Sequence, residues 1–517
     1  MTKSATKLVV SGSALQAVQF AVAVVVAFFL TPFVIHSLGD RMYGFWTLAG
    51  AFVGYYGLMD LGLSSAVNRY IAGAAGKRDR EEYAGVFSTA LQLYSILGVA
   101  VLVVSVAVAF LAPAFARSPQ DATLFRDVIL IMGSGLAVSF PARAYGGLLG
   151  AELRIGAVAV IGVAVLLLRT ALVVLVLLAG YGLLALAWVT FFSGLPTIVA
   201  YVWLARRQCP WLHFRRQPWL GAWTRTLFSY SSFAFIGNLT NQVRFNVDSF
   251  VITAFVGLAA VTHFRIAGLM ASYFMTLIAS LVSATQPWFS RMEGAGDYGS
   301  IQRTLLFSTK LSVCAAAFVG FGLIAWGRPF IARWMGPAYL DAYPCLVVLA
   351  LGYIVWLAQY PSITLMYGMA KHKGLVLINT VESFSNLALS VWFAKSMGIF
   401  GVALGTFIPM AVIVLVVQPL YFCRVSPVPY GRYMSEFGRA MAAAAVALVV
   451  PGIVTVVFAA PDYYRLALVA LASSVAYAVA VAFLQFSREE RQMLRRILLP
   501  THGQAGLVAA LSEGDAR

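Results

Sequence analysis

Apolar residues run in stretches of about 20 along nearly the whole chain, and short polar segments separate these stretches. Each stretch is long enough to cross roughly 30 Å of hydrocarbon as a helix. Lipid offers no partner to backbone polar groups, so these stretches are predicted to be helices; the alternation of barrel strands is absent. The sequence therefore predicts an all-α polytopic membrane protein. The fourteen predicted spans are 12–36, 43–70, 85–112, 126–149, 157–179, 183–205, 227–256, 259–287, 305–326, 343–368, 375–395, 400–422, 437–459 and 463–486.

The first twelve spans form two copies of six, offset by 217 to 219 residues. Matching pairs include Phe33 with Phe250, Gly39 with Gly257, Phe45 with Phe264 and Gly150 with Gly368. Because each copy has an even number of spans, both insert the same way up, which is the pattern of a parallel-repeat transporter. The predicted organisation is an N-terminal six-helix lobe at 1–205, a basic cytoplasmic linker at 206–226, a C-terminal six-helix lobe at 227–423, transmembrane helices 13 and 14 at 437–486 and a cytoplasmic tail at 487–517.

Basic residues indicate the orientation. Of the 36 Lys and Arg, 24 lie in the N-terminus, the even-numbered loops and the C-terminal tail, when residues at span ends are counted with the adjoining loop. Both termini are therefore predicted to be cytoplasmic. The net charge of +17 reflects this bias and attraction to anionic headgroups, and its spread over short loops argues against a nucleic-acid partner. No His or Cys pair has metal-ligand spacing, so neither a metal nor a cofactor is expected.

Two arginines inside spans are candidates for binding an anion. A charge at mid-bilayer costs about 2.5–3.5 kcal/mol and usually faces protein or water. Arg169 lies in the middle of span 5, which contains no acidic residue. In span 7, Asn241, Arg244 and Asp248 are spaced to share one helix face. That face is either a cavity wall with Arg244 towards an anionic substrate, or a self-neutralising pair that holds spans together.

Six polar or charged side chains are candidates for coupling or gating: Asp60, Asp248, Glu382, Asn241, Asn68 and Arg69. Asp60 and Asn68 share a face of span 2, with Arg69 next to Asn68. Asp60 is interpreted either as a proton-sensitive gating group or as a buried structural residue paired with a basic residue on a neighbouring span. Glu382 in span 11 is interpreted either as a coupling carboxylate or as the structural partner of an arginine.

Four further residues lie nearer the membrane faces. Arg143 and Arg265 are candidates for the entrance and exit of a substrate path, or for simple interfacial anchoring. Pro141 and Pro361 lie near the cytoplasmic ends of spans 4 and 10, where proline kinks could serve as matching hinges or be structural only.

The segments TPFVIHSLGDRMYGFWTL and GYYGLMDLGLSSAVNRYIA, within residues 31–72, resemble bacterial polysaccharide-unit flippases of the multidrug/oligosaccharidyl-lipid/polysaccharide exporter superfamily. The residues that carry this resemblance are Gly39, Tyr43-Gly44, Asp60-Leu61-Gly62 and Asn68-Arg69-Tyr70.

The resemblance implies two six-helix lobes around a central cavity in the bacterial inner membrane. It implies transport of an undecaprenyl-diphosphate-linked oligosaccharide from the cytoplasmic to the periplasmic leaflet by alternating access. Membrane lipids, a polysaccharide polymerase and a chain-length regulator would be its partners. Interior arginines would suit the diphosphate, because guanidinium groups bind phosphate oxygens bidentately.

Three alternatives remain open. A multidrug or cation exporter of the same superfamily needs an acidic interior, whereas the interiors of the spans, without their end residues, hold five basic and three acidic residues. A membrane polysaccharide polymerase or ligase would need a large external segment, and the longest external loops, 113–125 and 328–342, are too short for a folded domain. The chain is therefore not predicted to be an enzyme. A scaffold without transport activity would leave the duplicated polar faces unexplained.

Overall fold

The computed structural model describes residues 3–77, 79–115, 118–212, 221–283, 285–369, 371, 373–449, 452–453, 463–488 and 490–491. Every regular element in these ranges is a helix, which confirms the all-α prediction. The middle of the predicted linker, 213–220, and the predicted tail from 492 onwards lie outside the described residues.

Eight helices in the described ranges are long and apolar enough to cross a membrane, and a bent pair at 342–368 makes up to nine. The protein is therefore a multi-pass membrane protein. The predicted count of fourteen spans stays a prediction, because several predicted spans fall on helices that are broken or fused and the thirteenth extends into undescribed residues.

The chain forms two compact units: the first contains Met1–Arg265 and Ser390–Val402, and the second contains Ile266–Leu389 and Ala403–Arg517. The helices of the first unit are α1 (Lys3–Leu38), α2 (Asp40–Tyr56), α3 (Leu63–Lys77), α4 (Arg80–Phe110), α5 (Ala112–Phe115), α6 (Pro119–Ala151), α7 (Ile155–Leu178), α8 (Leu183–Gln208), α9 (Ala222–Asn246) and α10 (Asp248–Phe255), followed by the start of α11 (Leu258–Ser283).

The second unit holds the rest of α11 and most of the remaining helices. These are α12 (Gln286–Gly294), α13 (Tyr298–Trp334), α14 (Ala342–Ala358), α15 (Tyr360–Gly368), α16 (Lys373–Val412), α17 (Gln418–Val425), α18 (Tyr430–Ala447) and α19 (Tyr463–Leu484). Residues 390–402 of α16 belong to the first unit.

In the first unit, α6 packs against α3, α4 and α8. Glycines permit this close approach: a Cβ on Gly147 would lie 2.9 Å from Val67. Pro141 lies inside α6 and supplies no N–H to the carbonyl of Ala137, four residues earlier. That carbonyl faces α4, only 2.7 Å from where a Cβ on Gly98 would stand. Glycine at 98 therefore makes room for the carbonyl that Pro141 leaves without its helical donor.

The chain breaks between α2 and α3, within predicted span 2. Gly57–Asp60 form a 3₁₀ turn, and the next two residues, Leu61 and Gly62, have φ values of 51° and 76°. Leucine rarely adopts this left-handed conformation, so the surroundings must hold the break in place. The break puts Asp60 immediately before α3.

In the second unit, α14 and α15 meet at an angle of 42°. Pro361, at the start of α15, supplies no N–H to the carbonyl of Leu357, and the Ser312 hydroxyl of α13 donates to that carbonyl at 2.6 Å instead. Gln359 at the break donates its side-chain N–H to the carbonyl of Val414 at 2.8 Å. Side chains thus supply hydrogen bonds that the broken helix geometry does not.

Helix α13 also holds α18 and α19. Lys310 Nζ lies 3.1 Å from Glu490 Oε1, just beyond α19, and 3.9 Å from Glu436 Oε2 on α18. Phe318 stacks on Tyr477 of α19 at a centroid distance of 4.9 Å. The two C-terminal helices are therefore bound to α13 by both a partly buried amine and an aromatic stack.

Candidate functional site

Arg169 lies near the middle of α7, about 21 Å along the helix from Ile155. The surrounding residues of α7 are apolar apart from Thr170, and the Arg169 side chain is half-buried. Its Nη2 donates to Thr190 Oγ1 of α8 at 3.2 Å. Within the residues that the structure describes, no carboxylate forms an ion pair with Arg169. A guanidinium held by a neutral hydroxyl keeps its full charge for an anion.

Arg143 has a different environment, because it meets Asp60. Arg143 Nη1 lies 3.3 Å from Asp60 Oδ1, and the guanidinium carbon lies 4.4 Å from the centroid of the Phe140 ring. The Asp60 side chain is buried, whereas that of Arg143 is about a third exposed. This contact pairs Asp60 with a basic residue on a neighbouring helix, which agrees with the structural interpretation of Asp60. The carboxylate also compensates the charge of Arg143.

Asp60 also organises the start of α3. Its carboxylate accepts hydrogen bonds from Ser64 N at 3.2 Å and from Ser64 Oγ at 2.8 Å. Ser64 Oγ lies in turn 2.9 Å from the hydroxyl of Tyr94 on α4. Asp60 therefore caps α3 and links three helices, which accounts for the left-handed residues that precede α3.

The residues of the polar face predicted in span 7 differ in their exposure to solvent. Arg244 and Asp248 are buried, with exposed fractions of 2% and 8%, while Asn241 is exposed. The guanidinium carbon of Arg244 lies 5.3 Å from the centroid of the Phe245 ring. Tyr55 of α2 donates its hydroxyl to the carbonyl of Gln242 at 3.4 Å, so α9 is fastened to α2 within the first unit.

Three other predicted residues are exposed. Asn68 and Arg69 lie on α3, where the Asn68 amide is 3.4 Å from the position of a Cβ on Gly150 of α6. Arg265 is exposed on α11. The structure thus brings Asp60 together with Arg143, whereas Arg169 bonds to Thr190.

In the second unit, Glu382 lies on α16 and is 2% exposed. Asn386, one turn later and also buried, accepts a hydrogen bond from Thr406 Oγ1 at 3.4 Å. The predicted hinges differ in geometry: Pro141 lies within continuous α6, whereas Pro361 adjoins the 42° bend.

Two polar side chains that contact α7 escaped sequence reasoning. Thr190 is one of many hydroxyl residues in spans, and no charge pattern distinguishes it. The Gln19 amide of α1 lies against Gly162 of α7, two turns before Arg169. The one available signal was glycine at 162, which allows a polar side chain to approach an apolar helix. In the described residues, no group of three or more His, Cys, Asp or Glu is placed to hold a metal ion.

A multi-pass helical bundle with charged side chains held inside its spans is typical of a membrane transporter. The fold is similar to that of "Lipid II flippase MurJ, inward closed conformation", with a TM-score of 0.71 and 14% identity, covering 91% of this chain and 98% of that one. It is also similar to an inward-facing multidrug resistance MATE family transporter of the MOP superfamily, with a TM-score of 0.66 and 15% identity over 83% of this chain and 99% of that one. The chain therefore shares its fold with a lipid II flippase and with a MATE transporter.

The chain belongs to the family described as "Polysaccharide biosynthesis protein", whose model matches residues 2–293. It is 24% identical to the uncharacterized membrane protein EpsK of Bacillus subtilis (strain 168), over 94% of this chain and 97% of EpsK. The resemblance inferred from residues 31–72 is thereby confirmed at the level of a polysaccharide flippase-like transporter.

Proposed function

We propose that this protein moves an undecaprenyl-diphosphate-linked oligosaccharide from the cytoplasmic to the periplasmic leaflet of the bacterial inner membrane by alternating access. The family match supports a role in polysaccharide biosynthesis, and the fold supports transport across a bilayer. In this proposal both termini are cytoplasmic, and a polymerase and a chain-length regulator act on the delivered units.

The observation that best supports the proposal is that Arg169 carries its charge at mid-membrane without an ion pair to a carboxylate in the described ranges. A charged guanidinium at mid-membrane is costly, and no carboxylate in the described ranges offsets this charge. Its remaining N–H donors suit the oxygens of a diphosphate, the most strongly charged part of such a lipid. Arg169 is accordingly the proposed diphosphate-binding residue of the first unit.

Arg244 and Arg265 are proposed as further anion-binding groups, while the pairing of Arg143 with Asp60 favours a gating role for both residues. Asn68, Arg69 and Asn241 expose polar side chains that suit an aqueous path. The buried carboxylates Asp248 and Glu382 are proposed as coupling groups, and the bend at Pro361 as a hinge.

A deletion strain provides the first test of this function. We expect lipid-diphosphate-linked oligosaccharide to accumulate on the cytoplasmic leaflet and surface polysaccharide to be lost. Linked units that reach the periplasmic leaflet but stay unpolymerised would contradict the proposal and indicate a later, enzymatic step.

Arg169→Ala tests the binding residue in a complemented strain. Loss of a charge-assisted, bidentate contact should reduce export about tenfold to a hundredfold, with membrane insertion unchanged. Arg126→Ala is the matched control, because Arg126 is half-exposed and pairs with the adjacent Asp127 at 3.0 Å. Normal export by Arg169→Ala at native expression would remove Arg169 from the site.

The buried acidic residues Asp248 and Glu382 keep a cation exporter as the second candidate, because the MATE fold is similar as well. Increased drug sensitivity of the deletion strain, with normal surface polysaccharide, would favour the cation exporter.

The charge exchange Arg244→Asp with Asp248→Arg addresses the role of Arg244. Restored export would indicate that the two residues act as a structural pair, whereas failure would support direct contact of Arg244 with substrate.

A further inference from the structure

The hydroxyl of Thr190 has a fixed orientation. Thr190 Oγ1 donates its single hydrogen to the carbonyl of Leu186, four residues earlier on α8, at 2.9 Å. The same oxygen accepts the N–H of Arg169 Nη2 at 3.2 Å. A β-branched side chain has few χ1 states, and the bond to the preceding turn selects one of them. The lone pair that faces Arg169 is therefore held in place by the helix backbone.

This fixed acceptor solves a specific problem for Arg169. An arginine side chain has several rotatable bonds and loses about 2 kcal/mol of rotamer entropy when it is immobilised. A carboxylate would orient the guanidinium but would also neutralise it, as Asp60 does for Arg143 at 3.3 Å. A neutral hydroxyl orients the guanidinium and leaves its charge available to a ligand.

The second repeat also contains a hydrogen bond between a threonine and a polar side chain, in the opposite direction. Thr406 Oγ1 donates to Asn386 Oδ1 at 3.4 Å, and these residues follow Thr190 and Arg169 by 216 and 217 residues, close to the repeat offset. In both copies a threonine on the sixth span meets a polar side chain on the fifth. The fifth-span side chain is charged in the first copy and a neutral amide in the second. A threonine contact between the fifth and sixth spans thus recurs in both copies, and the first copy alone uses the hydroxyl as the acceptor of a charged donor.

We propose that Thr190 is a positioning residue: it holds the guanidinium of Arg169 in the orientation that binds the diphosphate of the transported lipid. This inference rests on the proposed function and names a further residue of the same site. Thr190 itself is expected to act through Arg169 and not to touch the substrate.

The test uses the full-length protein in detergent, with farnesyl diphosphate as the anionic probe and farnesol as the uncharged probe. Thr190→Val keeps the side-chain shape but lacks the hydroxyl, whereas Thr190→Ser keeps the hydroxyl. We expect Thr190→Val to weaken farnesyl diphosphate binding about fivefold to tenfold, the value of one net hydrogen bond. Farnesol binding should be unchanged, and Thr190→Ser should stay within about twofold of the unmodified protein.

A double-mutant cycle separates positioning from a general structural effect. If Thr190 acts through Arg169, the variant Arg169→Ala with Thr190→Val should bind farnesyl diphosphate no more weakly than Arg169→Ala alone. Additive losses would overturn the inference, and so would equal weakening of farnesol binding. If Thr190→Val does not fold, Thr190→Ser and Thr190→Ala supply the same comparison.

The two proposals fail in different ways. Normal farnesyl diphosphate binding by Thr190→Val, together with loss of binding by Arg169→Ala, would refute the positioning role and leave the proposed site intact. Normal binding by Arg169→Ala would refute the proposed site itself.

Discussion

Replacing Ser312 with alanine should destabilise the second unit, because it removes the donor that replaces the missing N–H of Pro361. The acceptor is the carbonyl of Leu357, the bond is 2.6 Å long, and Ser312 and Leu357 are 1% and 0% exposed. A buried carbonyl left without a donor costs about 1–3 kcal/mol. Because both Ser312 and Leu357 are shielded from water, no water molecule can replace the lost donor, and we expect a loss of about 2 kcal/mol in the free energy of unfolding.

The assay is unfolding by SDS in mixed micelles, applied to a cycle with Pro361→Ala. Alanine at 361 restores the N–H that can bond to the carbonyl of Leu357, so Ser312→Ala should cost about 1 kcal/mol less in that background. An equal cost in both backgrounds would refute the reasoning, because the loss would then come from packing alone. If the bend is the proposed hinge, Pro361→Ala should also reduce export.

Three further predictions concern helix ends and contacts. Arg143→Ala leaves the buried Asp60 carboxylate without its cation and should cost about 1–3 kcal/mol, less than a fully buried pair because Arg143 is partly exposed; unchanged unfolding would contradict the pairing. Gly98→Ala should destabilise the first unit, since a Cβ would meet the Ala137 carbonyl at 2.7 Å, and export at reduced temperature should recover partly. Hydrogen bonds that Ser300 donates to the carboxylate of Asp297, the N-cap of α13, lower the pKa of that carboxyl below its usual value. This cap therefore stabilises α13 at neutral pH and is lost as the pH falls through the lowered pKa. Hydrogen exchange at the first turn should show that loss, and Asp297→Asn should abolish its pH dependence.

The sequence predicted those features that depend on composition and spacing. Long apolar runs require helices in lipid, so the all-α class and the membrane location followed directly. The residues around Asp60 and Asn68 indicated the family, and the family model confirms it. The cost of a buried charge also predicted that Asp60 could pair with a basic residue. The sequence did not predict that this residue is Arg143.

Tertiary contacts could not be predicted because they depend on distances between spans. Arg143 and Arg169 look alike in sequence, since each is a lone arginine among apolar residues. Only the packing of α6 against α3 gives one a carboxylate, and only the packing of α7 against α8 gives the other a hydroxyl. Pro141 and Pro361 likewise look equivalent, yet one lies within a continuous helix and the other adjoins a bend.

The salt bridges of Lys310 impose an order on biogenesis. Lys310 enters the membrane with α13, but its partner Glu490 lies 180 residues later in the chain. At 5–20 residues per second, the ribosome needs roughly 9–36 s to reach that residue. During this interval the amine must be accommodated by the insertion machinery, by lipid headgroups or by water. The ion pairs of Lys310 are therefore completed only after translation of the C-terminal helices, and a chain truncated before Glu436 would lack both carboxylates that lie near this lysine.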